Sequence, residues 1–210
     1  MKLTIYAISR KLARRLLNFY LRKRFKRFTA NWRRPYKLHL GCGEHHLDGW
    51  INIDFQRYPG VDVVWNIKYE MPIDDNSCAL IFHEHVLEHF SLEDGLVVLR
   101  QCHKKLQPGG VLRVAMPSLD AMLEHCASGT YSDIHGEHMP KFHTKAEYLN
   151  VYFRWWGHKW IYDREELHRR LREAGFSLIR DTDYHESLLP ELRGLELSKD
   201  SLLVCEATRE

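Results

Sequence analysis

Five of the seven residues from His83 to His89 (HEHVLEH) carry side chains that take up protons or bind metal ions. The last five, His85 to His89, have the H-x-x-E-H spacing of a zinc-hydrolase helix. That chemistry needs the motif in mid-helix, with a further carboxylate ligand downstream. Here His83 and Glu84 continue the apolar run Cys78–Phe82 and finish a strand, so the context for zinc proteolysis is absent. What remains is a histidine just past a strand end. With an ordinary pKa of about 6.5, His85 is suited to taking a proton from a hydroxyl group. His158 is the second candidate base. It lies in YFRWWGHKWIYD (152–163), whose Trp155, Trp156 and Trp160 suit stacking on a sugar ring or an apolar acceptor. The same rings would equally serve to pack that segment onto the domain.

These side chains need elements to position them. YKLHL runs into Gly41-Cys42-Gly43, and a strand that ends in a Gly-x-Gly turn lets backbone approach a ligand closely. WINIDF ends in Asp54, an acid after a second strand, where a ribose diol would sit. VDVVWN ends at Asn66, and CALIFHEHV forms the next strand. Ser91, with Asp94 three residues on, starts a helix expected to run to Gln107 and to stop at Pro108-Gly109-Gly110. VLRVAMP follows as a strand. Asp163 caps REELHRRLREA, with Glu166 at its third position and Gly175 at its end. FSLIRD and DSLLVCEA close the chain as strands. Strands alternating with helices imply an open parallel sheet.

Taken together, these pieces resemble the class I S-adenosylmethionine-dependent methyltransferases over about residues 37–210. Gly41-Cys42-Gly43 matches the first motif of that family and Asp54 its ribose-binding acid. MPIDDNSCALIFHEHVLEHF, LQPGGVLRVAMP and the AGF at 174–176 match its later segments. The resemblance implies a Rossmann-like α/β fold, a mostly parallel seven-stranded sheet with helices on both faces. It also implies S-adenosylmethionine as cofactor, bound by Gly41, Cys42, Gly43, Asp54 and Asn66, with His83 and Glu84 edging the pocket. Acceptor residues follow the fourth strand in this family, which puts His85 at the acceptor, under a lid over about 120–162. Amine acceptors are held by an Asn-Pro-Pro-Tyr type of sequence, which is absent here, so oxygen is the expected acceptor atom. The subgroup that shares the GCG turn and GW-NID has bacterial relatives linked to surface-polysaccharide assembly.

Several positions depart from the family pattern. His39 stands where an acid is usual, His45 replaces the third glycine, and Ala79 replaces an acid in the fourth strand. Only ten residues separate Gly43 from Asp54, so the usual first helix must be short or absent. Asn66 takes the place of an aspartate, and its amide oxygen can still accept from an adenine amino group. Some members of the superfamily hold a divalent ion with E-x-x-E-H at the place of His85, Glu88 and His89, while others carry Leu-Glu-His with no metal. No metal is expected here; His85, Glu88 and His89 are the candidates if one is held, with His135, His138 or His143 of the lid as a further ligand.

Composition narrows the partners. The 210 residues are 44% hydrophobic and 28% charged, ordinary for a globular chain, and the five cysteines form no C-x-x-C. Odd, scattered cysteines fit a reducing compartment. The net charge of +3 hides an asymmetry: residues 1–37 hold thirteen Lys or Arg and no acid, leaving 18 basic against 28 acidic residues beyond. Residues 1–36 therefore read as a basic amphipathic arm, and residues 37–210 as an acidic domain. Ile5, Ile8, Leu12, Leu16 and Phe19 recur at helical spacing among the cations, a pattern suited to an anionic membrane surface or to packing on protein. A transit peptide would be richer in serine, and a secretory signal would carry an uninterrupted apolar segment. Nucleic acid is not an expected partner of so acidic a body. The expected activity is methyl transfer to a hydroxyl of a glycan or lipid-linked acceptor, by a cytoplasmic protein peripheral to the inner membrane face. A non-catalytic relative that binds cofactor or a partner, and a nucleic-acid methyltransferase guided by the arm, are the alternatives.

Overall fold

The strand Tyr36–Leu40 (β1) is buried along nearly its whole length, the pattern of a strand covered on both faces. In the computed structural model, which describes residues 19, 20, 22–133 and 140–210, it is the third strand of a seven-stranded sheet. The others are β2 (Ile51–Asp54), β3 (Val63–Val64), β4 (Cys78–Glu84), β5 (Leu106–Met116), β6 (Leu178–Asp181) and β7 (Leu203–Thr208). Their order is β3-β2-β1-β4-β5-β7-β6. The first five pair in parallel, and β7 runs antiparallel to both β5 and β6. The order reverses between β1 and β4, and such a switch point opens a crevice at the carboxyl ends of the strands.

Two-residue alternation sorts the core onto two faces. Ile81 of β4, with Leu112, Val114 and Met116 of β5 and Leu203, Cys205 and Ala207 of β7, belongs to the larger cluster. Helices α1 (Leu92–Lys105) and α4 (Arg164–Ala174) cover it, through Val98, Leu99, Cys102, Leu167 and Leu171. Leu80, Phe82, Val111, Ala115 and Val204 point the other way. Among the described residues no α-helix contributes a side chain to this second cluster. Trp50, Leu192 and Leu195, from loops, cover it instead. Arg113 of β5, fully buried, pins the loop there: it donates to Glu196, to Glu206 (2.7 Å) and to the Glu186 carbonyl (2.8 Å).

The helix caps form as the sequence indicates. Ser91 accepts from Asp94 N, Asp163 from Glu166 N, and Gly175 closes α4 at φ +112°. The stop of α1 does not. The helix ends at Lys105, ahead of Pro108, and Leu106–Gly110 joins β5 with a register shift against β4. Proline disfavours helical backbone in the residue before it, and Gly110 lies so close to β4 that a Cβ would stand 3.0 Å from the Ala79 carbonyl.

The boundary at 36/37 is also corrected. Residues 22–29 are helical, and Phe25, 1% exposed, sits edge-on to Trp65 at 5.7 Å within the main core. Phe28 and Trp32 pack against the same cluster, and Arg22 pairs with Glu70 at 2.9 Å. Arg22, Lys23, Arg24, Lys26 and Arg27 are left to solvent and form a basic face. The part of the arm over 1–18, and the lid residues 134–139 with His135 and His138, lie outside the described residues. The lid contributes α2 (Leu119–Ser128) and α3 (Lys145–Arg154), which share a small core of their own around Met122, Phe142, Tyr148 and Tyr152.

Candidate active site

β1, β2 and β4 end along one edge of the sheet, where a cavity of about 570 Å³ opens. Gly41, Asp54, Trp65, Asn66, His85 and His89 line it from the sheet side, and Trp156, Gly157 and Lys159 from the lid. This is the size of a small-molecule site.

Gly41 has φ +66°, and a Cβ there would stand 2.3 Å from Cγ2 of Val86, so only glycine fits the turn. Gly43 donates its N–H to Asp54 Oδ2 at 3.0 Å, and Gln56 N donates to Oδ1 at 2.8 Å. These two bonds fix a carboxylate, 5% exposed, at the end of β2. A bare glycine turn beside an oriented acid fits the methionine and ribose portions of S-adenosylmethionine. Cys42 does not line the cavity: its N–H bonds the Ile53 carbonyl at 3.2 Å, its thiol donates to the Gly43 carbonyl at 3.7 Å, and burial pushes that thiol up to about 12. Asn66 lines the cavity, but its side-chain oxygen already accepts from Lys68 N at 3.0 Å. That oxygen keeps a second lone pair, which could accept from an adenine amino group as the sequence suggests.

His83 and Glu84 do not edge this pocket. His83 is fully buried with neither ring nitrogen hydrogen-bonded, and burial depresses its pKa to about 4. Glu84 faces the C-terminal loop, where its carboxylate accepts from Leu197 N (2.9 Å), Ser198 N (3.0 Å) and Ser201 Oγ (2.6 Å). Alternation along β4 sends successive residues to opposite faces, and a motif read as a string conceals that.

His85 stands differently. It leaves β4 at φ +51°, a left-handed backbone that non-glycine residues rarely adopt, while its N–H still bonds the Ala115 carbonyl at 3.0 Å. Its Nδ1 lies 3.1 Å from Oε1 of Glu88. Burial alone would lower the His85 pKa, but the Glu88 carboxylate overrides it and holds the imidazole above its usual value. Burial likewise raises Glu88, and His85 more than reverses that. The contact is an ion pair without hydrogen-bond alignment: Glu88, 1% exposed, has no hydrogen-bond partner on either oxygen.

His158 does not line the cavity. Its ring meets that of His89 edge-on at 5.0 Å, and its Nδ1 bonds the Tyr152 carbonyl at 2.5 Å. The loop around it is latched to the 3-10 turn Leu87–His89, because Lys159 N (2.7 Å) and Trp160 N (3.2 Å) both donate to the Glu88 carbonyl. His143 is exposed beside the cap of α3, where its N–H bonds Glu147. Trp155, Trp156 and Trp160 are all exposed. Trp65, Phe55 and Lys159 line the cavity without having been singled out in the sequence. Phe55 directly follows Asp54, which was a usable signal, while Lys159 reaches the site only through the lid.

A family model described as a methyltransferase domain matches residues 8–180. Among solved structures, an S-adenosylmethionine-dependent methyltransferase from Archaeoglobus fulgidus aligns at 16% identity over 93% of this chain and 94% of its own, TM-score 0.53. A possible histamine N-methyltransferase from Thermotoga maritima aligns at 15% identity over 95% and 97%, TM-score 0.51. The chain spans about half the length, 48%, of a third, the CurJ carbon methyltransferase, at 15% identity over 82% of this chain and TM-score 0.48. No curated protein matches. The first two of these likenesses give the fold. The chain belongs to the class I S-adenosylmethionine-dependent methyltransferases.

Proposed function

We propose that the protein methylates a hydroxyl group of a glycan or lipid-linked acceptor, with His85 as general base, at the inner face of an anionic membrane. The observation that carries this reading is His85 itself, held at the cavity wall by a left-handed backbone and paired with the buried Glu88. With Nδ1 turned to Glu88, Nε2, buried and without a hydrogen-bond partner, is the nitrogen that would take the acceptor proton. Glu88 fixes that orientation and stabilises the imidazolium that forms. Asp54 would hold the ribose hydroxyls and the Gly41–Gly43 turn the amino-acid portion of the cofactor. When bound, S-adenosylmethionine would supply a sulfonium methyl for the acceptor oxygen, its carbon–sulfur electrons remaining on sulfur.

The acceptor class is supported by the exposed Trp155, Trp156 and Trp160 on the loop that borders the cavity. Membrane placement is supported by the exposed basic face of residues 22–29 and the further cations of 1–18. Among the described residues, no helix is long and apolar enough to cross a membrane, so attachment would be peripheral. The test is radiolabelled methyl transfer from S-adenosylmethionine onto fractionated lipid and glycan extracts. Alkali-stable label in an ether is expected, and His85→Asn should lower its rate about 100-fold, the scale of general-base catalysis. Label on nitrogen or carbon, or an undiminished rate in that variant, would overturn the reading.

A further inference from the structure

We infer that Glu88, His89 and His158 bind one divalent metal ion of the zinc class, which staples the loop 155–160 to the turn at 87–89. One ligand atom from each of the three residues lies within 4.8 Å of the others. The same spot holds a carboxylate, 1% exposed, with no hydrogen-bond partner on either oxygen. Leaving a buried carboxylate with a single histidine contact is costly, and a cation is the group that relieves it.

The imidazoles are prepared for the same ligand. His158 Nδ1 bonds the Tyr152 carbonyl, which places the proton there and leaves the Nε2 lone pair free. The His89 ring meets that of His158 edge-on at 5.0 Å, so both imidazoles reach the spot beside the Glu88 carboxylate. Carbonyl partners on ligand histidines are the usual outer support of a metal site. Two imidazoles and one carboxylate favour zinc, cobalt or a similar borderline ion over magnesium or calcium. Glu88 can serve both neighbours, with Oε1 toward His85 and Oε2 toward the ion.

This ligand set differs from the one the H-x-x-E-H spacing suggests. It takes His158 from the lid in place of His85. The ion would therefore join two segments 69 residues apart in the chain, already latched by the Lys159 and Trp160 bonds to the Glu88 carbonyl. Trp156, Gly157 and Lys159, which border the cofactor cavity, would be fixed by it. The role is to order the mouth of the cavity, and it stands apart from the choice of acceptor.

The test uses full-length protein, purified without a histidine tag and stripped with chelator, titrated with Co²⁺ and then with Zn²⁺. One ion per chain is expected, with a Co²⁺ ligand-field spectrum, displacement by Zn²⁺, and a change in tryptophan fluorescence as the loop is fixed. Glu88→Gln and His158→Ala should each weaken binding about 10–100-fold or more, while His85→Asn keeps the ion. His158→Ala serves as the control for folding, since its side chain lies outside the core. No binding by the parent chain, equal binding in His158→Ala, or loss of the ion in His85→Asn would overturn the inference. Calorimetry with S-adenosylhomocysteine, run on the same stripped samples, tests the methyltransferase reading separately.

Discussion

Two buried histidines should make this protein acid-sensitive well above the pH at which its carboxylates titrate. His39 is 2% exposed and His83 is fully buried, and burial holds both pKa values at about 4. Their unfolded values are about 6.5, so below that pH the unfolded chain binds protons the folded chain refuses. Their contribution is fully present above about pH 6.5 and is lost progressively as the pH falls toward about 4. At about pH 5, each unfolded imidazole is nearly all protonated and each folded one mostly neutral, which costs about 2 kcal/mol per site. The pair therefore removes about 4 kcal/mol between about pH 7.5 and about pH 5. His45, His89 and His103, also shifted down by burial, add to the loss, whereas His85, shifted up, opposes it. Urea unfolding followed by circular dichroism reads this directly, as a fall in midpoint of roughly 1.5 M. His83→Leu replaces an unpaired polar ring in an apolar setting and should cut the fall by nearly half. Equal midpoints at the two pH values, or a full drop in His83→Leu, would refute the reasoning.

Gly41→Ala should reduce S-adenosylhomocysteine affinity at least about 10-fold by calorimetry, since the added Cβ collides with Val86 and the turn keeps a positive φ. Glu84→Gln exchanges a carboxylate bonded to Leu197 N, Ser198 N and Ser201 Oγ for an amide, and a loss of about 2–3 kcal/mol in urea unfolding is expected. Arg113→Met leaves Glu196 and Glu206 facing each other without their cation; a destabilisation of about 3–5 kcal/mol should follow, visible as a lowered Tm. Phe25→Ala should cost about 3–5 kcal/mol, and an unchanged denaturation midpoint would show that the N-terminal helix is an appendage.

The sheet was legible because it is written in local signals. The alternating runs, the Ser91 and Asp163 caps and Gly175 each specify a boundary within a few residues, and each appears as read. Gly41 and Asp54 were legible for the same reason, since strand ends collect at one edge of a parallel sheet. The misplacements involve long-range packing. Whether Glu84 meets cofactor or the 197–201 loop depends on residues 113 positions away, which no spacing records. The helical periodicity of the basic arm could not tell a membrane from Trp65 as the partner of Phe25. His89 and His158 meet only because the lid folds back onto the turn after β4.

The helix at 22–29 lies against β3, a strand of only two residues at the sheet edge. Its Phe25 touches Trp65, whose other neighbour is the cofactor cavity. Trp65 thus stands between the basic helix and the cavity. The helix and the cavity therefore share one wall, built from Phe25 and Trp65.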